Sequence, residues 1–429
     1  MMSRKRVKNL KWDKLDNTAN LFPVIAHEGM SNVYRISVVL KEEIVGDLLK
    51  QAVEKVLPYF DIFKCTMKKG FFWFYFEENN AKLPAIKEED TYPCMFINQH
   101  SNNNYLFKVS YYKKRINLEV FHALTDGNGA LNFLREITYA YIRLAHPELM
   151  EQVSDTLAPE TSLDKEDSYV QNYKSKQKKT YKTTKAVVVK GEKLPMNQFA
   201  VIHGIMPVAD IKQAAKKYGM TINSYIVSAY TYAIYKSYLH GAPSAKPITI
   251  AVPVNLRPYF NSDTNKNFFV VVSSQFLPEK EEEYTFEEIA TIVKKSLEEQ
   301  INKENLEKLF SYNVSNEKNL MLRSVPLFIK KLAMKYVYMA SAKANTSTVT
   351  NLGMIKTSEP YSAYIDRFQA ILSMSHGQNI KITVFSYNED MVLTFSANIR
   401  DNDIQKTFFR KLSEDGIKVS IETNGVYYE

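Results

Sequence analysis

Two cysteines, Cys65 and Cys94, are the only thiols in this chain of 429 residues. That number excludes a disulfide framework, and no cysteine spacing suits a structural metal. A reducing, cytoplasmic compartment fits. None of the seven histidines is paired at HExxH-type spacing, so the sequence offers no metal site. No glycine-lysine phosphate loop is present, no GxGxxG follows a strand, and no GxSxG elbow is found. Nucleotide binding of the usual kinds and serine hydrolysis are thereby disfavoured. No apolar run reaches the roughly 18 residues that a transmembrane helix needs. The basic start MMSRKRVKNLKW is not followed by an apolar stretch, so it does not read as a secretory signal. A soluble protein is expected.

What remains is ordinary globular composition with a formal net charge of +9. The length suggests two or three domains. The charge permits an anionic small molecule, an anionic membrane or nucleic acid as partner. Nucleic acid is disfavoured, because the lysines interleave with acidic residues and no recognition module is visible. The chain holds 28 tyrosines and 24 phenylalanines. Core packing of sheets accounts for these aromatics, and a tunnel for an apolar ligand is the alternative.

Strand and helix signals alternate along the first part of the chain. Residues 30–44 alternate as a strand, and Leu48, Leu49, Ala52, Val53 and Val56 fall at helical spacing. Strand formers crowd residues 70–78, and two further strands end at the stretch VFHALTDGNGALNF, residues 120–133. A helix then runs to the region of Pro147. Residues 151–190 are polar, with six lysines between Lys174 and Lys185. They read as a solvated crossover, with a phosphate-binding patch as the alternative. Beyond it come a helix ending at Gly219, a helix capped by Thr221, a buried strand from 247 leading to a turn at Pro258, a strand over 265–278, and one long amphipathic helix over 285–310. A strand over 346–355, a hairpin turning at NED and a terminal helix complete the pattern.

His122 closes an apolar strand, Asp126 follows four residues later, and Gly127 and Gly129 come next. A histidine at a rigid strand end suits a general base at neutral pH. The glycines permit a turn and a close backbone approach. On residue type alone, a structural histidine beside an Asp-Gly turn is the plainer reading.

HALTDG, residues 122–127, matches an HxxxDG motif and resembles the acyltransferases of the chloramphenicol acetyltransferase fold. That superfamily includes alcohol acetyltransferases, polyketide-associated acyltransferases and peptide-synthetase condensation domains. VPVNLRP (252–258) resembles its arginine-bearing strand, and VTNLG (349–353) resembles its Ser/Thr-Asn-x-Gly strand. The resemblance covers nearly the whole chain.

It implies an α+β fold of two chloramphenicol acetyltransferase-like domains. Each is a mixed β-sheet with packed helices, and the active site lies at their interface. The expected boundaries are 1–173 and 191–429, joined by a lysine-rich linker over 174–190. The implied chemistry is acyl transfer from acyl-CoA, as co-substrate rather than bound cofactor, to an alcohol or amine. His122 is the general base, Asp126 is orienting and pairs with an arginine, for which Arg257 is the candidate, and Gly127 shapes the turn. Asn351, Thr350 or Ser347 donates to the oxyanion. A carrier-protein thioester donor and a catalytically silent binding module are the alternatives. Phe121 stands where condensation domains and wax-ester synthases carry a second histidine, and no DFGWG stretch is present. Both departures favour a stand-alone bacterial-type enzyme, expected as a monomer.

Overall fold

The computed structural model describes all residues except 1–11, 17, 152–166, 175–183, 196–197, 263, 319–323 and 429. In chain order its strands are β1 (Trp12–Lys14), β2 (Val33–Leu40), β3 (Cys65–Lys69), β4 (Phe74–Glu78), β5 (Lys87–Glu88), β6 (Phe107–Tyr112) and β7 (Arg115–Phe121). After the lysine-rich crossover come β8 (Ala200–Pro207), β9 (Ile248–Asn255), β10 (Phe269–Phe276), β11 (Ser347–Ile355), β12 (Ile365–Leu372), β13 (Ile380–Tyr387), β14 (Asp390–Ala397) and β15 (Ser420–Thr423).

The strands form two large sheets and a small one. The first large sheet has the order β12-β2-β7-β6-β5, the second β10-β9-β11-β13-β14-β8-β15, and the small sheet β1-β4-β3. Both large sheets are mixed: β5 runs parallel to β6, and β11 runs parallel to β9 and β13. The architecture is the expected α+β arrangement of mixed sheets with packed helices. One strand joins the two halves directly. β12 comes late in the chain, yet pairs antiparallel with β2 along its length.

Helices cover the sheets with their apolar faces. The helix Gly46–Val56 buries Leu49, Ala52, Val53 and Val56 at the spacing of one helix face and packs on the helix Gly127–Ala145. In the second half, Ile222–Ser237 is almost wholly buried between Phe286–Gln300 and Asp403–Glu414. Thr221 caps it by accepting the Ser224 N–H, and Gly219 ends the preceding helix with φ +62°.

Two expected elements divide. The long helix over 285–310 is two helices, Phe286–Gln300 and Lys303–Lys318. Asn302 starts the second by accepting the Asn305 N–H at 2.9 Å. The strand expected over 70–78 begins only at Phe74, because residues 70–73 form the turn between β3 and β4, closed by Gly70 N–H to Trp73 O. Among the described residues, no helix is long and apolar enough to cross a membrane.

Candidate active site

β7 is buried from Ile116 onward and sits between β2 and β6, so its end is held rigidly. The strand stops after Phe121. The His122 N–H donates to Asn32 O at 2.9 Å, and the Leu124 N–H turns back to Phe121 O. From β2, the Tyr34 hydroxyl donates to the carbonyls of Thr125 and Asp126 at 3.0 and 2.9 Å. These bonds fix the loop that carries the HxxxDG residues.

Asp126 has several structural duties. Its Oδ1 caps the helix Gly127–Ala145 by accepting the N–H groups of Asn128 and Gly129. The same carboxylate receives a two-pronged contact from Arg257, Nη1 to Oδ2 at 2.8 Å and Nη2 to Oδ1 at 3.1 Å. The Phe268 N–H adds a bond to Oδ2 at 3.0 Å. Arg257 follows β9 of the seven-stranded sheet and also donates to the carbonyls of Thr264 and Lys266. The pair therefore ties the loop after β7 to the opposite half of the molecule.

Backbone packing at this seam is close. A Cβ on Gly129 would lie 2.1 Å from Thr125 Oγ1 and 2.4 Å from Asn265 O. Only glycine lets the helix start approach that carbonyl. A Cβ on Gly127 would lie 2.6 Å from Leu352 Cδ2, so the β11 segment abuts the same helix end.

The His122 imidazole lies at this seam, half-buried. Phe22 stacks on it with ring centroids 4.5 Å apart and planes 15° from parallel. Tyr34 meets it edge-on at 4.9 Å, and Phe269 leans on it at 5.8 Å. Its Nδ1 is buried without a hydrogen bond of normal geometry. Burial pulls the imidazole pKa below its ordinary 6.5. Its own backbone carbonyl, the charge of Asp126 and the Asn267 side chain oppose that shift, while the Lys381 ammonium adds to it. The net direction leaves the ring neutral, and so basic, at neutral pH.

Two polar groups that act on the imidazole, Asn267 and Lys381, were missed by sequence reasoning. Asn267 N–H and Nδ2 both donate to Asp16 Oδ2, at 3.3 and 2.8 Å. Burial pushes the Asp16 carboxyl up to about 7. Burial also draws the Lys381 ammonium down to about 8, and its Nζ donates to Ser373 O and Ser375 Oγ. The sequence signal for Asn267 is slight: a polar run, 264–267, precedes the apolar β10. Phe22 and Tyr34 stand in unrelated segments and meet His122 only through the fold, as Asp16 meets Asn267.

Asn351 lies where β11 shifts register against β13, between Asn351 and Met354. Its Oδ1 accepts the Gly353 N–H at 2.8 Å, and Gly353 takes φ +78°. The amide NH2 is then the group that Asn351 has to offer as a donor. Ser347 lies in the core, with its hydroxyl donating to Ile380 O and accepting from Tyr230. That places it among structural bonds and away from oxyanion duty. Thr350 is half-buried on the same strand. Most of the lysine patch, 175–183, lies outside the described residues. Lys174 pairs with Glu307 at 2.8 Å.

No protein-family model matches the sequence, and no curated protein does. Solved structures match over nearly the whole chain. Polyketide synthase associated protein 5 from Mycobacterium tuberculosis superposes with TM-score 0.58 at 12% identity, covering 93% of this chain and 96% of that one. Trichothecene 15-O-acetyltransferase from Fusarium sporotrichioides gives 0.58 at 11%, covering 96% of each. A wax ester synthase/diacylglycerol acyltransferase from Marinobacter aquaeolei VT8 gives 0.57 at 11%, covering 94% of this chain and 98% of that one.

Proposed function

We propose that this chain, which shares the fold of the CoA-dependent acyltransferases of chloramphenicol acetyltransferase type, moves an acyl group from a thioester to an alcohol or amine. The observation that carries the reading is the environment of His122: a neutral imidazole held at the seam between the halves, with Asp126 committed to Arg257. The neighbours' names support the chemistry. They include an acetyltransferase, a wax ester synthase, and a starter condensation domain of rhizomide synthetase in complex with C8-CoA, which superposes with TM-score 0.58 at 10% identity over 96% of this chain and 98% of that one.

The steps follow from the residues. The acceptor's oxygen or nitrogen attacks the thioester carbonyl while His122 takes its proton. The tetrahedral oxyanion needs a fixed donor, and the Asn351 amide NH2 fills that role. Collapse breaks the carbon–sulfur bond, and the imidazolium returns the proton to the departing thiolate. No covalent enzyme intermediate forms, and acyl-CoA enters as co-substrate rather than resident cofactor. Asp126 holds the histidine loop through Arg257 and takes no proton. On this reading the protein acts in the cytoplasm as a monomer, in two domains, 1–173 and 191–429.

A carrier-protein thioester is the alternative donor, favoured by the condensation domains among the neighbours. Incubation with acyl-CoA and a pool of alcohols and amines, followed by mass spectrometry, tests the reading. An acylated acceptor supports it. Acylation from acyl carrier protein alone transfers the reading to the second donor.

A further inference from the structure

The helix Leu327–Ala342 is held to the protein by few of its residues. Leu327 is its only buried side chain. Phe328, Leu332, Tyr336 and Met339 recur at the spacing of one helix face and are 61%, 71%, 78% and 41% exposed. A second apolar group lies beside it, at the turn between β3 and β4. There Phe71 is 69% exposed and Trp73 40%. The two are joined: the Leu327 N–H donates to Phe71 O at 2.8 Å, and Lys330 Nζ donates to Phe72 O at 3.1 Å. Together they make one continuous apolar surface of the kind that marks an interaction site.

The helix carries charge of one sign. No Asp or Glu occurs between Glu317 and Glu359, while Lys330, Lys331 and Lys335 lie on the helix. Lys14 and Lys330 each sit 5.9 Å from the Trp73 ring centroid. Exposed aromatics and leucine interleaved with lysine suit the headgroup boundary of an anionic bilayer, which receives both the apolar face and the cations. A second copy suits it poorly. An isologous dimer would set these lysines against their own counterparts.

The surface also adjoins the site. The short helix Phe22–Ile25 packs on Leu327–Ala342, and its Phe22 stacks on His122. Tyr338 further contacts Met30, two residues before the Asn32 carbonyl that holds His122.

We propose that the face formed by Leu327–Ala342 and the Phe71–Trp73 turn docks on anionic lipid bilayers, with the Phe22 side of the His122 site toward the lipid. The proposal does not depend on acyl transfer. Co-sedimentation of the full chain with phosphatidylcholine vesicles, with and without phosphatidylglycerol, tests it. Binding is expected to the phosphatidylglycerol vesicles and to weaken with salt. The charge variant K331Q/K335Q should lower it by about 30-fold, and the apolar variant L332S/Y336S by about tenfold or more. His122→Ala should bind as the parent does, which separates this result from catalysis. Four outcomes would overturn it: no vesicle binding by the parent, equal binding to both vesicle types, binding that neither folded variant alters, or a dimer in light scattering that L332S/Y336S dissolves.

Discussion

Arg257 reaches across from the second half of the chain and grips Asp126 with two nitrogens, at 2.8 and 3.1 Å. Both side chains are largely withdrawn from water. Removing one charge strands the other. Asp126→Asn is therefore expected to lower stability by about 3 kcal/mol, measured by urea denaturation, with activity lost alongside. A variant that is inactive yet as stable as the parent would contradict the orienting role given to Asp126.

The two glycines after Asp126 should differ in tolerance. At Gly129 a methyl group meets the Asn265 backbone carbonyl, which has nowhere to move. Gly129→Ala should cost about 3 kcal/mol by overpacking. At Gly127 the obstacle is the tip of the Leu352 side chain, which turns aside, so Gly127→Ala should cost about 1 kcal/mol. Thermal melts of the two variants rank them, and the reverse order would show that the seam is not where the close approach occurs.

Activity should respond to pH as a neutral imidazole dictates. Burial lowers the His122 pKa, so the base form persists below pH 6.5. The acid limb of kcat/KM is expected to have its midpoint under 6.5, with a flat profile through pH 7. A midpoint above 7 would mean that the ring is stabilised as imidazolium, against the environment described.

A second histidine controls acid stability without touching the site. His203 on β8 is buried against Thr394 Oγ1 at 2.7 Å, and burial drives its pKa down to about 3. The native state then binds fewer protons than the unfolded chain between pH 6.5 and 3. Stability is complete above pH 6.5 and falls as pH drops through that window, by up to about 1.4 kcal/mol per pH unit. His203→Gln should flatten the slope of urea-derived stability in that range. An unchanged slope would place the titration elsewhere.

How much of this was legible in the sequence depends on the range of each interaction. The helix Ile222–Ser237 announces itself through Thr221 and Gly219, and β7 through its alternating apolar run, because those signals are local. The strands β8, β12 and β15 and the helix Leu327–Ala342 are not evident. β12 is defined by pairing with β2, hundreds of residues earlier, and the helix carries its apolar spacing on an exposed face rather than against the core. The same division holds at the site. His122, Asp126 and Gly127 are contiguous enough to form a motif, Asn351 sits in a recognisable strand, and Arg257 follows one. Asn267 and Asp16 have only tertiary reasons to be where they are. The break at Asn302 carries no proline or glycine signal, and one side-chain cap decides the geometry.

The most direct test of the central claim is thiol release from a chain-length series of acyl-CoAs, with pooled alcohol and amine acceptors, for the parent and His122→Ala side by side. The account predicts release by the parent and a loss on the order of 10²-fold or more in the folded variant. Equal release by both proteins would contradict the assignment of His122 as the base.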